Sequence, residues 1–157
     1  MITLEPLGRD GIRRVAHIAV TPDQEPFCGT ISGHFEADEP GCDFHLIARD
    51  GRAVGFFKID RAYSQGFDFA HADELGVRGV MIDAAEQGRG TGKAAMRALR
   101  PYVARLYPQA QALVLTVNQV NPKARAVYLA AGFQDTGALH HGGRIGPQHI
   151  LRMPLTP

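Results

Sequence analysis

A chain of 157 residues with 45% hydrophobic and 21% charged side chains has the make-up of one globular domain, which excludes a disordered or low-complexity protein. A formal net charge of +1 excludes a strongly basic nucleic-acid binder, and no apolar run approaches the roughly 20 residues that span a bilayer, so neither nucleic acid nor membrane is an expected partner. The start, Met1-Ile2-Thr3-Leu4-Glu5-Pro6, lacks the basic and apolar regions of an export signal, and Cys28 and Cys42 make no disulfide framework; the expected compartment is the cytoplasm.

In chain order, Ile2–Leu7 alternates and stops at Gly8, which predicts a first strand. Asp10 is placed to cap a helix running to about Val20, with Pro22 ending it. Residues 23–41, rich in Pro, Gly and acid, predict short helical pieces and loop. Phe44–Arg49 and Ala53–Ile59 flank Asp50-Gly51, the strongest hairpin signal in the chain. Asp60–Asp73 reads as a loop or a widened strand end, Val77–Asp83 as a strand, and Ala112–Asn118 as a buried strand. Between those strands a helix from about Thr91 to Leu106 carries Met96, Leu99, Val103 and Leu106 on its inner face, and Pro101 should kink it or free the carbonyl of Arg97. Asn121 as cap, Pro122 in the first turn and Gly132 at the end bracket a second helix. Strands near Phe133–Thr136 and Gln148–Met153 finish the chain. A hairpin followed by strand, helix, strand, helix predicts an α/β fold with a mixed sheet.

The charge is unevenly placed. Residues 1–86 hold eight Lys/Arg against fifteen Asp/Glu, whereas residues 87–134 hold seven basic residues and no acid. Such a stretch suits an anion, although solvated basic faces are common. Within it, Gln87-Gly88-Arg89-Gly90-Thr91-Gly92-Lys93 joins a strand to a helix through three alternate glycines. Backbone N–H groups exposed by glycine at a helix N-terminus, with Arg89 and Lys93 beside them, form a cradle for linked phosphates. A P-loop does not fit, because Gln87 stands where its first glycine belongs and Ala94 follows Gly92-Lys93. A dinucleotide fingerprint fits Gly90-Thr91-Gly92-Lys93-Ala94-Ala95 but lacks an acid about 20 residues on, none occurring before Asp135.

Gln87-Gly88-Arg89-Gly90-Thr91-Gly92 resembles the Q/R-x-x-G-x-G/A signature of the GCN5-related N-acetyltransferase (GNAT) superfamily. Asn121-Pro122-Lys123-Ala124-Arg125-Ala126-Val127-Tyr128, continuing to Gly132-Phe133, resembles that superfamily's later N…A…Y…GF segment. The hairpin ending Val54-Gly55-Phe56-Phe57 is similar to its earlier strands. Arg78–Asp83, Thr21–Glu25 and Thr136-Gly137 are similar to its diamine (spermidine/spermine) acetyltransferase-like branch.

This resemblance covers nearly the whole chain and implies a single N-acetyltransferase domain over residues 1–157. It implies a mostly antiparallel sheet of six or seven strands, splayed between strands 4 and 5 and flanked by about four helices. The implied reaction is direct transfer of acetyl from acetyl-CoA to a primary amine, with no metal, in an enzyme of a superfamily where homodimers are common. The alternative is a non-catalytic acyl-CoA-binding module on the same scaffold.

Met81 and Ile82 would pair their backbone with the pantetheine arm; Gln87, Gly88, Arg89, Gly90, Thr91, Gly92 and Lys93 would hold the pyrophosphate. Asn121 would touch the cofactor, cap its helix, or both. Tyr128 matches the residue that protonates the leaving thiolate, and is otherwise a core tyrosine. Glu74 is the expected general base, with Asp83 and His71 as other candidates. Gly76 and Gly79 replace bulkier residues expected at those positions. Carboxylates such as Glu25, Glu36, Asp38, Asp43 and Asp68 would suit a cationic, polyamine-like acceptor. His140, His141 and His149 match no standard metal spacing.

Overall fold

Asp50 and Gly51 both adopt positive φ, +50° and +86°. Two consecutive left-handed residues twist with the flanking strands, and so close a tight hairpin. In the computed structural model, which describes residues 1–156, this turn joins β2 (Cys42–Arg49) to β3 (Arg52–Asp60). Around that hairpin seven strands form one sheet in the order β1-β2-β3-β4-β5-β7-β6, with β1 Ile2–Leu7, β4 Glu74–Ile82, β5 Ala112–Asn118, β6 Gln134–His140 and β7 Gln148–Pro154. Every neighbouring pair is antiparallel except β4 and β5.

Two long helices, α5 (Thr91–Leu106) and α6 (Pro122–Ala130), cover one face. The short helices α1 (Ile12–Val15), α2 (Glu25–Cys28), α3 (Ile31–Glu36) and α4 (Tyr63–Gly66) make up the rest. The larger core lies under α5, where Met96, Leu99 and Val103 meet Phe57, Ile59, Leu113, Leu115 and Leu151. Each such side chain contributes about 1.5–3 kcal/mol by leaving water. The opposite face carries a second cluster, including Val15, Ile31, Phe44, Leu46, Phe56 and Met81. A small third one holds Tyr63, Val114 and Ile150.

Three expectations change. The first helix stops at Val15, with Gly11 rather than Asp10 at its N-cap and no side-chain cap. Tertiary hydrogen bonds compete successfully for its continuation: the Ala19 amide donates to Asp83 Oδ1 and the Ala19 carbonyl accepts from the Ala84 amide. The expected loop 60–73 contains α4, and β4 begins three residues early, at Glu74. Leu106, expected on the inner face of α5, is exposed at the last turn, where the helix ends at Tyr107. Pro101 acts as expected, sitting on the exposed side of an unbroken helix and leaving the Arg97 carbonyl without an N–H four residues on.

The pairing of β4 positions the site. It meets β5 only over Glu74–Gly76 against Ala112–Val114; beyond Gly76 the two strands part. On its other side β4 follows β3, but Phe56 faces Met81 while Lys58 faces Arg78, so Gly79 and Val80 together stand opposite Phe57. Gly79 takes φ +63°, which only glycine adopts at little cost, and the extra residue forms a β-bulge at the mouth of the split.

Candidate active site

The parting of β4 from β5 opens a cleft of about 810 Å³. Ile82 and Val80 form one wall, Leu115 to Asn118 the other; the start of α5 and one face of α6 close the end. Backbone groups of β4 that do not point to β3 have no β5 partner beyond Gly76, so they face this gap.

At the α5 end lies the glycine-rich loop. Gly88 and Gly90 adopt φ +80° and +76°, and the helix has no side-chain cap. No amide from Gly88 through Lys93 has a hydrogen-bond partner among the described residues. A 16-residue helix whose first N–H groups open into a cleft is an anion site, reinforced by the helix dipole and by Lys93. The loop is buttressed from beneath. Buried Glu86 accepts from Arg49 Nε at 3.0 Å and from Arg89 Nη1 at 3.1 Å, and Arg49 Nη2 donates to Thr91 Oγ1 at 2.7 Å. The Gln87 amide exchanges two hydrogen bonds with Gln24 and donates to the Ile82 carbonyl at 2.9 Å, tying loop to strand and to the segment before α2.

Ile82, Gln87, Gly88, Gly90, Thr91, Gly92, Lys93, Asn121 and Tyr128 thus converge on one cavity. Three anticipated residues do not line it. Met81 turns its side chain into the core of the opposite face. Arg89 lies over Glu86. Glu74 stands at the closed end of the strand pair, buried, with Arg152 Nε donating to it at 2.6 Å and the His71 amide at 2.8 Å. Burial alone would raise its pKa, but the Arg152 hydrogen bond and the His71 amide outweigh this and lower it. Glu74 is therefore an anion engaged in the sheet, away from the cleft. Asp83 and His71, the other base candidates, are also outside the lining; Asp83 accepts the Ala19 amide.

Tyr128 projects from α6 into the cleft, its ring edge-on to Phe133 at 5.8 Å. Burial, and then the nearby Cys28, push its pKa up, so the hydroxyl keeps its proton at neutral pH. Asn121 caps α6 through its side chain, accepting the Ala124 amide at 3.4 Å, and lines the cleft as well. Cys28 lines the cleft with its thiol pushed up to about 11 by burial and Glu25, and burial followed by Asp60 raises Cys42. Neither is a ready thiolate nucleophile.

Residues that the sequence did not single out complete the site. The Cβ missing from Gly76 would fall 2.1 Å from the Tyr63 ring, and that missing from Gly79 would fall 2.7 Å from the His34 ring. Both glycines make room for side chains delivered from outside the strand, which shape the cleft in place of the bulkier residues expected there. His34 shares its ring nitrogen Nε2 with the Cys28 carbonyl at 2.6 Å and stacks on Phe56 at 5.3 Å. A carbonyl can only accept, so Nε2 carries the proton and Nδ1 is left as an acceptor. Burial, then the neighbouring Lys58, hold its pKa below the ordinary histidine value, which keeps the ring neutral near pH 7. None of Glu25, Glu36, Asp38, Asp43 or Asp68 lines the cleft. Asp43 accepts from Arg61 and Tyr107 instead. Among the described residues no three His, Cys, Asp or Glu side chains are grouped to hold a metal.

A split sheet with an uncapped helix beside the gap defines an acyltransferase scaffold of the acetyl-CoA type. The chain belongs to the acetyltransferase (GNAT) family, whose model matches residues 10–133. It is 29% identical over 107 residues to the uncharacterized N-acetyltransferase YbbJ of Bacillus subtilis (strain 168), a match spanning 68% of this chain and 66%, just under two thirds, of that protein. By structure it is similar to aminoglycoside acetyltransferase AAC(6')-Ib in complex with coenzyme A, with a TM-score of 0.78 and 15% identity over 98% of this chain and 95% of that one. It is also similar to the spermidine/spermine N-acetyltransferase SpeG of Vibrio cholerae, with a TM-score of 0.69 and 17% identity over 99% and 96% of the two chains. At such identities the structural likeness speaks for the fold.

Proposed function

We propose that the protein transfers an acetyl group from acetyl-CoA to the primary amine of a small molecule, by direct attack within a ternary complex. The observation that carries this reading is the row of unpartnered amides from Gly88 through Lys93, opening into the same cleft as Tyr128. Those amides and Lys93 would take the pyrophosphate, which directs the pantetheine arm along the free edge of β4 beyond Gly76. Met81 and Ile82 would contribute backbone there. N–H groups facing the gap near the Gly79–Val80 bulge would stabilise the oxyanion as the amine adds.

The amine must arrive unprotonated or lose a proton on attack, since its pKa in water is about 10.4. His34, neutral with one ring nitrogen free to accept, is the base the geometry favours over Glu74. Collapse of the tetrahedral adduct expels a thiolate, and Tyr128, held protonated by burial, returns a proton to sulfur. Protonated Cys28 and Cys42 support transfer without an acetyl-enzyme.

Calorimetric titration with acetyl-CoA, followed by thiol release across a panel of amines, tests the reading. Saturable binding and thiol release with at least one amine are expected. Failure to bind acetyl-CoA would sink the proposal, whereas binding without thiol release would leave only an acyl-CoA-binding module.

A further inference from the structure

Lys58 and Arg78 are register partners on β3 and β4, so their side chains stand together on the sheet face opposite α5. Both line the cleft and an adjoining chamber of about 700 Å³, with His34 as part of the shared wall. Lys58 is 3% exposed, yet its ammonium has one protein partner, Glu39 Oε1 at 2.7 Å. Arg78 commits only Nη1, to Glu39 Oε2 at 2.8 Å, Asp60 Oδ2 at 3.2 Å and the Cys42 sulfur.

The two sides of this network are unequally satisfied. Glu39 has a donor on each oxygen, and Asp60 takes Arg78 on one and the Ala62 amide on the other. In contrast, two N–H bonds of Lys58 and the Nε and Nη2 donors of Arg78 have no partner among the described residues. Arg144, exposed on the β6–β7 loop, lines the same chamber and has no ion-pair partner among the described residues. The other carboxylate lining the chamber, Glu25, is exposed. Among the buried groups the spare capacity is donor capacity, since Glu25 also has no partner among the described residues but stands in solvent, and a buried ammonium with free N–H bonds asks for an anion.

Glu39 is held as an anion by the same two donors. Although burial would raise Glu39, hydrogen bonds from Lys58 and Arg78 bring its carboxyl down to about 2. Phe27, Tyr63 and Phe67 supply apolar walls on the cleft side.

We infer that Lys58, Arg78 and Arg144 form a carboxylate subsite for the acceptor, so that the preferred amine is a small amino acid-like molecule rather than a polyamine. A protonated polyamine would bring further ammonium groups against donors that need an acceptor. An amino carboxylate instead anchors its anion on Arg78 and Lys58 and leaves its amine free to reach the thioester. This inference rests on the acetyl-transfer reading for the identity of the site as an acceptor site, but the carboxylate preference can be measured without turnover.

The experiment is calorimetry on the whole protein saturated with coenzyme A, titrated with L-phenylalanine, L-leucine and L-threonine, with the amide of each, and with spermidine. At least one amino acid should bind ten times or more tightly than its own amide and than spermidine. Arg78→Gln should abolish that ratio and Arg144→Gln should cut it at least threefold; the latter residue is exposed, so its replacement leaves folding intact. An amide or spermidine that binds as well as every amino acid, no binding by any amino acid, or a ratio unchanged in both variants overturns the inference. Thiol release with the same panel separates the two claims. Acetylation of spermidine or the amides in preference to the amino acids removes the carboxylate subsite and keeps the acetyltransferase. Carboxylate-selective binding with no thiol release does the reverse.

Discussion

The two ends of the β4–β5 pair are built from similar apolar sequence and reach opposite outcomes. At the closed end Glu74–Gly76 hydrogen-bonds to Ala112–Val114, Arg152 reaches across from β7 to clamp Glu74, and the Tyr63 ring fills the space over Gly76. At the open end the strands part, a glycine bulge turns β4, and the exposed backbone is left for something outside the protein. Unpaired backbone in a sheet interior costs about 1–3 kcal/mol per group unless a partner arrives. The molecule tolerates that at one end because an ion pair and close packing hold the other. A split sheet thus combines a structural element and a candidate binding site within one strand of nine residues.

This division can be broken most sharply at the open end. Gly92 lines the cleft, and a Cβ there would sit 3.6 Å from the Ile82 side chain, an ordinary contact. Gly92→Asp should fold normally, and even gain slightly, because a carboxylate in the first turn of α5 suits the helix dipole. The same charge would face the pyrophosphate. Acetyl-CoA affinity should drop about 100-fold, or about 2.7 kcal/mol, by calorimetry, with the melting temperature unchanged or raised. Affinity retained in the variant would mean that the phosphates do not lie at this helix.

Tyr128→Phe tests the chemistry without touching the cradle. Removing the proton donor should lower kcat about 30-fold or more while leaving the acetyl-CoA dissociation constant within about twofold. An unchanged kcat would return Tyr128 to being a core residue beside Phe133. His34→Gln keeps a donor for the Cys28 carbonyl and removes the basic nitrogen. It should cost about tenfold in kcat/KM. The pH dependence has a definite sign. With a pKa held below the ordinary 6.5, His34 is an acceptor at neutral pH and loses that capacity as pH falls through its value, so wild-type kcat/KM should decline on the acidic side and the variant should lack that limb. A limb that survives the substitution points to another base.

How much of this was legible beforehand divides along the same line. Asn121-Pro122, the alternate glycines of 88–92 and Asp50-Gly51 are local signals, set by φ preference and capping, and they appear in the structure where the residues put them. The split between strands 4 and 5 was implied by family resemblance, not by any residue pattern, because parting is a property of register. His34, Lys58 and Arg78 lie far apart in sequence; the first two carry no motif, and Arg78 enters only through the likeness of Arg78–Asp83 to one branch of the superfamily. They become neighbours only through the β3–β4 register and the seating of α3 over Gly79. Only the two glycines left a trace: small residues in a strand mark close approach by another group, and at both positions an aromatic ring arrives. The acid-rich first half suggests a cationic acceptor, but none of the five carboxylates named for it lines the cleft, because composition does not say where a side chain lies.

Glu74 is where position in sequence and position in the fold diverge most, and replacing it should have the smallest effect on catalysis. Its carboxylate is 4% exposed and bonded to Arg152. Glu74→Gln keeps the shape and weakens a charged hydrogen bond, which should lower stability by about 2 kcal/mol in urea unfolding at pH 7. Because its folded pKa is depressed below the unfolded value of about 4.3, the contribution is fully present above that value and fades as pH falls through the lower folded one. The stability gap between wild type and Glu74→Gln should therefore narrow in acid. Meanwhile kcat/KM should stay within about twofold, because Glu74 holds the closed end of the strand pair and does not line the cleft. A loss of kcat/KM of about 100-fold with stability intact would reverse that assignment and make Glu74 the base after all.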